Sequence, residues 1–165
     1  LEKPSIAAVN GLAYGMGNGV ALSCDLRVAS TDAKFCEAFI RNGLVPGDGS
    51  TWQLPKIIGL GRALWMEYSG EPVGGEEAFA IGLANRVVAP YQLMTTALAM
   101  AHQLAAGPIF AMGLVKQLLQ RGYSDRFDEH AEMAKRANSF ARRTHDHRES
   151  VTAFVEKRKP NFEGR

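Results

Sequence analysis

Cysteine is scarce in this 165-residue chain, and charge is nearly balanced. The two cysteines, Cys24 and Cys36, lack C-x-x-C spacing, which gives no support to a disulfide framework or a zinc site. A formal net charge of +2 is too mild to imply nucleic acid. No stretch approaches the roughly 18 apolar residues of a membrane span. The expectation is a reduced, cytoplasmic compartment, with no signal peptide and no membrane partner. Gly-Lys-Ser and Gly-Lys-Thr are absent, which removes the phosphate loop, and G-x-S-x-G is absent, which removes the nucleophile elbow. The four histidines (His102, His130, His145 and His147) lie late and form no metal motif, so no metal is expected. No internal repeat or low-complexity segment occurs. With 46% hydrophobic residues, the chain can still bury a substantial core as a globular domain.

What is present starts with Gly15-Met16-Gly17-Asn18-Gly19, followed at once by the short apolar stretch Val20-Ala21-Leu22. Alternate glycines permit backbone geometries other residues resist and let a ligand approach the main chain. The first amides of a helix starting here lack helical partners, so they form a site made of backbone for an oxygen that needs hydrogen bonds. A dinucleotide fingerprint fits poorly. Its third glycine should stand one residue later than Gly19, and its helix should continue well past Asp25.

Ser5-Ile6-Ala7-Ala8-Val9 reads as a buried strand, which normally has neighbours on both sides. Because the chain opens on Leu1-Glu2-Lys3-Pro4 without a methionine, the expectation is that its beginning is missing. Residues 26–29 alternate as a second strand, and Lys34-Phe35-Cys36 form a short third. Residues 43–51 make a loop rich in glycine around Pro46. Residues 52–58 read as a helix capped by Ser50 or Thr51, with further short helices at 62–68 and 76–81 and an extended stretch at 84–88. The 3.6-residue period then runs through 91–105, 109–121, 125–142 and 145–158, with Gly107-Pro108 as a break. The domain reading is an α/β core over residues 1–90 and a helical region over 91–165. The last two helices have thin apolar faces, as helices that complete their burial against a second subunit do.

Ile6-Ala7-Ala8-Val9-Asn10-Gly11, the glycine run, Cys24-Asp25-Leu26-Arg27 and Gly43-Leu44-Val45-Pro46-Gly47 follow in that order. Leu54-Pro55-Lys56-Ile57-Ile58-Gly59, the pattern A-x-A-x-G-L-x-N-x-V-V over 78–88, and Phe154-Val155-Glu156-Lys157-Arg158-Lys159-Pro160 complete the series. Together they resemble the enoyl-CoA hydratase/isomerase (crotonase) family along the whole chain, matching roughly the last two-thirds of a typical member. The resemblance implies an α/β fold of the ClpP/crotonase type: a spiral of ββα units, its N-terminal part absent, followed by a helical C-terminal oligomerisation region. It also implies homotrimers or dimers of trimers, and an acyl-CoA thioester as substrate with no further cofactor. In such a site the thioester oxygen lies between two backbone amides that stabilise an enolate. One amide falls to Met16, flanked by Gly15 and Gly17; the other comes from a segment upstream of Lys3.

The two glutamates of family hydratases fall on Gly19 and Phe39, neither of which transfers protons. Glu37, two residues before Phe39, and Asp48, inside the loop beside the acyl group, are the candidate replacements. If the strand from Lys34 continued, Glu37 and Phe39 would share one face, and a carboxylate against Phe39 and Trp52 would have a raised pKa. Pro46, Gly47, Phe39 and Trp52 are the candidate substrate-lining residues. The structural alternatives are that Asp48 stabilises a turn, that Glu37 pairs with Arg41 or Arg27, and that Trp52 is core. Asp25 reads as a ligand to backbone amides, and the basic residues 157–159 as either solvated or in contact with CoA phosphates. The expected activity is hydration or double-bond isomerisation of an enoyl-CoA. The alternative is a homologue that binds acyl-CoA or assembles with partners without turnover.

Overall fold

The computed structural model describes residues 1–165, which separate into two compact units, Ser5–Ala99 and Met100–Arg165 together with Leu1–Pro4.

The first unit is built on two three-stranded sheets. Strands β1 (Ile6–Val9), β3 (Leu26–Ser30) and β6 (Arg86–Val88) run parallel in the order β1-β3-β6. Strands β2 (Leu12–Tyr14) and β4 (Lys34–Cys36) are parallel in the second sheet, with β5 (Val73–Gly74) antiparallel at the edge. The chain passes from one sheet to the other at each turn: β1 to β2 through Asn10-Gly11, and β3 to β4 through Thr31-Asp32-Ala33. Helix α1 (Met16–Ser23) closes the first turn, and α2 (Ser50–Ile58) with α3 (Leu60–Ser69) closes the second. The ββα spiral is thus present, with Ile6 opposite Leu26 and Leu12 opposite Lys34 one turn on. Helix α4 (Gly75–Ala80) leads into β6. Phe35, Leu54, Leu83 and Val28, all at 0% exposure, anchor the core between strands and helices.

Several expectations need correction. The stretch before the glycine run contains β2, which three residues with Leu12 exposed could not announce. β1 is an edge strand with β3 as its one partner among residues 1–165, and three of its four residues are only partly buried. Helix α2 begins at Ser50 itself and is preceded by Gly49 at φ 92°; no side chain caps it in the ordinary way. Instead the Asp48 carboxylate accepts the Ser50 amide at 3.1 Å, which frees the Ser50 hydroxyl for another partner.

Two polar clamps fix the spiral. Asp25 accepts both the amide and the hydroxyl of Ser5, at 2.8 and 2.9 Å, which joins the starts of β1 and β3. Buried Arg27 donates to the carbonyls of Leu83 at 2.6 Å and Cys24 at 2.8 Å, and to Ala21 at 3.3 Å. Its cation sits at the C-terminal end of α1, where free carbonyls carry partial negative charge.

Helix α5 (Leu93–Ala105) runs from the first unit into the second, which holds α6 (Ile109–Arg121), α7 (Phe127–Ala141) and α8 (His145–Val155). Thr144 caps α8 by accepting the His147 amide at 3.1 Å, and buried Asp146 accepts the amides of Glu163 and Gly164. No single helix is long and apolar enough to cross a membrane.

Replacing Arg27 by methionine leaves three carbonyl oxygens without their donor. The expected loss, read from urea unfolding midpoints, is about 3 kcal/mol, against under roughly 0.5 kcal/mol for Arg62→Met on the exposed face of α3. Equal losses would show that the Arg27 clamp carries no stability.

Candidate active site

The glycine run begins with a residue that only glycine adopts easily. Gly15 has φ 50° and ψ −118°, and its amide donates to the Cys36 carbonyl at 2.8 Å, so the end of β4 pins the head of α1. The Gly15 carbonyl accepts the amides of Asn18 and Gly19 at 2.9 and 3.1 Å. The amides of Met16 and Gly17 open the helix and have no intrahelical acceptor. The Met16 side chain is 64% exposed, so its amide can serve a ligand while the thioether points away. The ring of Phe39 lies 3.5 Å from where a Cβ on Gly15 would stand, which puts an aromatic wall beside this head.

Gly19 and Asp48 occupy one place. A Cβ built on Gly19 would fall onto the Asp48 carboxylate, so the loop of residues 43–49 delivers a carboxyl group into the room left by the absent side chain. Asp48 Oδ1 accepts the Ser50 amide, while Oδ2 is buried with no partner in the protein. A buried carboxylate oxygen left without a donor is costly, and is found where a ligand or a proton completes it.

Glu37 lies behind this pair. It is fully buried, and its two oxygens accept Asn18 Nδ2 at 2.6 Å and Ser50 Oγ at 3.2 Å. Burial pushes its pKa up and the Asp48 charge adds to that, while the two hydrogen bonds pull it down. Glu37 thus pairs with neither Arg41 nor Arg27. The strand stops at Cys36, and Ala38–Asn42 turns as a 3-10 helix closed by Gly43 at φ 67°, so Glu37 and Phe39 do not share a strand face. Trp52 is neither core nor cavity lining: it is 60% exposed, with the Lys56 ammonium 2.8 Å from its ring centroid.

A cavity of about 240 Å³ adjoins the loop. Pro46 lines it, with Leu44, Val45, Ala63 and Leu64. Its one carboxyl group, that of Glu67 on α3, belongs to none of the sequence candidates. Desolvation, then the charges of Glu37 and Asp48, push its pKa up to about 7, and its Oε1 is buried without a partner. A signal for it existed: Glu67 stands four residues after buried Ala63 and next to buried Met66, on the inward side of a helix. Asn18 and Ser50 had no such signal.

An enoyl-CoA hydratase/isomerase family model matches residues 1–165. The chain belongs to the enoyl-CoA hydratase/isomerase family. It is 39% identical over 159 residues to the short-chain-enoyl-CoA hydratase of Clostridium acetobutylicum, covering 96% of this chain and 61% of that protein. It is 38% identical over 165 residues to the 1,2-epoxyphenylacetyl-CoA isomerase of Escherichia coli, covering 100% of this chain and 63% of that one. The solved structure of enoyl-CoA hydratase from Bacillus anthracis superposes with a TM-score of 0.95 at 34% identity, over 100% of this chain and 64% of that chain. The chain therefore spans a little over three-fifths of the length of these relatives. The crotonase fold of the family is the fold described above.

Elsewhere, Arg158 is committed to Glu149 at 2.6 and 2.9 Å and to Glu156 at 2.6 Å; its bonds to Glu149, with the Asn161 amide, hold Glu149 down at about 2. The middle residue of the late basic cluster thus has intramolecular partners.

Glu67 makes stability depend on pH in a definite direction. Its folded pKa of about 7 lies above the ordinary 4.5, so between these values the folded state holds a proton that the unfolded state has lost. Stability from this group is full below pH 4.5 and falls as pH rises through 7. Glu67→Gln removes that slope. After allowance for solvent screening, the variant should exceed the parent by on the order of 1 kcal/mol at pH 8, with the gap closed by about pH 5. A gap independent of pH, measured by urea unfolding, would contradict the raised pKa.

Proposed function

We propose that the protein processes acyl-CoA thioesters by double-bond isomerisation, moving one proton of an enoyl-CoA through Asp48. The supporting observation is the Asp48 Oδ2 atom, buried and without a partner in the space above Gly19, beside the amides that open α1. In this reading the thioester oxygen accepts the Met16 amide, flanked by Gly15 and Gly17. The family resemblance implies a second backbone amide on the same oxygen. Asp48 removes the proton from the carbon next to the thioester of a 3-enoyl-CoA. The electron pair delocalises onto the thioester oxygen as a dienolate, stabilised where charge develops. Asp48 then returns the proton two carbons further along, which leaves the conjugated 2-enoyl-CoA.

Glu37 is a positioning residue here. It touches Asn18 and Ser50, and Ser50 in turn donates its amide to Asp48. Phe39 and Gly47 wall the reacting acyl group, with Pro46 leading into the cavity; Trp52, exposed with Lys56, suits the CoA end. Hydration is the second activity of this site, needing a water activated by the same carboxylate, and two of the relatives named above are hydratases. No metal or cofactor beyond the CoA of the substrate enters the reading. The protein is read as a cytoplasmic homotrimer or pair of trimers. Exposed Phe127, Phe140 and Phe154 on the helical unit, at 87, 60 and 85%, are surfaces that a second subunit would cover.

The test follows formation of the conjugated thioester from 3-hexenoyl-CoA by its absorbance. Asp48→Asn should lower kcat by about 100-fold or more with KM roughly unchanged, the scale of a lost general acid–base. A variant keeping more than a tenth of the rate would refute the assignment. Binding of acyl-CoA by the parent without turnover of 3- or 2-enoyl-CoA would replace it with a non-catalytic binding role.

A further inference from the structure

Beside the reacting groups, the cavity between α2, α3 and the loop of residues 43–46 presents an unusual lining. Ile40, Leu44, Val45, Pro46 and Leu64 make it mostly apolar, Thr51 and Tyr68 add hydroxyls that do not bond Glu67 Oε1, and with about 30 Å³ for a water-sized group its 240 Å³ holds a chain of several carbons. A plain hydrocarbon chain would be served by apolar residues alone. Instead α3 sets a carboxyl group into this wall, and one of its oxygens, Oε1, is buried with no donor within reach. The groups whose charge it feels, Glu37 and Asp48, are both acids and supply no donor to relieve it. A ligand in the cavity can bring the missing donor.

We infer that this cavity is an acyl subsite selecting acyl-CoA esters that carry a hydrogen-bond donor, a hydroxyl or an amide N–H, toward the far end of the acyl group, with Glu67 Oε1 as the acceptor. The inference rests on the acyl-CoA reading above and refines it to a substrate class. An unsubstituted chain would seal Glu67 from water without replacing its hydrogen bond, which penalises that ligand. A hydroxylated chain restores the bond and keeps the apolar contacts. Discrimination of this kind is strong because the wrong ligand leaves a buried polar group unpaired.

The experiment measures binding of saturated thioesters, which have no double bond to move, by calorimetry with the purified protein. Acetyl-CoA reports the CoA site alone. Butyryl-CoA and hexanoyl-CoA are compared with 4-hydroxybutyryl-CoA and 6-hydroxyhexanoyl-CoA, so that two chain lengths reach into the cavity. At one length or both, the parent should bind the hydroxylated ester about tenfold more tightly than the plain one. Glu67→Gln, whose amide oxygen still accepts, should keep part of that ratio, and Glu67→Leu should invert it while acetyl-CoA affinity stays the same in all three proteins. If acetyl-CoA binds but the hydroxylated and plain esters bind alike at both lengths, or if Glu67→Leu leaves the ratio untouched, the subsite assignment is overturned and the acyl-CoA reading stands. If no CoA ester binds, both fall together.

Discussion

A carboxylate at 0% exposure must be satisfied, and the way Glu37 is satisfied organises everything near the glycine run. Its two oxygens take one donor from α1, the Asn18 amide group, and one from α2, the Ser50 hydroxyl. Glu37 itself follows β4 directly, and β4 also holds Gly15 through the Cys36 carbonyl. Three elements far apart in sequence therefore meet on one side chain. Ser50 also donates its amide to Asp48, and that bond holds the carboxyl of Asp48 above Gly19, so one residue ties the buried carboxylate to the one with a free oxygen.

The charge pattern follows from the same packing. Glu37, Asp48 and Glu67 are acids within one another's field, and the hydrogen bonds of Glu37 and Asp48 come from neutral donors. Like charges in a desolvated pocket disfavour full ionisation, which raises the affinity for protons of Glu37 and Glu67. A site built this way favours chemistry that lends and recovers a proton, and it discourages an anionic acyl group. The buried cation nearby, Arg27, is spent on carbonyl oxygens at the far end of α1.

Much of this was legible in the sequence, and the limits are physical. The apolar runs of β1 and β3 and the period of the long helices gave their elements directly, as did the glycine run for the head of α1. β2 and β5, of three and two residues, carry too little pattern to read. The turn after Cys36 was hidden because a tertiary clamp on Glu37, not local propensity, ends the strand there. Gly19 and Asp48 were each singled out, yet that they share one space is a fact about a contact across 29 residues. The orphan oxygen of Glu67 is likewise invisible until the partners that it lacks can be looked for. Trp52 carries no pattern that separates core from surface, and in the fold it lies exposed with a lysine on its face.

The central claim is that the carboxyl of Asp48 takes the place, and the work, of a side chain at position 19. The most direct test is the isomerisation rate of four proteins: the parent, Gly19→Glu, Asp48→Ala and the double variant. Coupled residues depart from additivity, whereas independent ones do not. The account predicts that each single change abolishes most of the activity, the first by collision and the second by loss of the carboxylate. The double variant, with a carboxylate restored from the other side of the same space, should recover a large part of it. A double variant whose loss equals the sum of the two single losses in free energy would contradict the account.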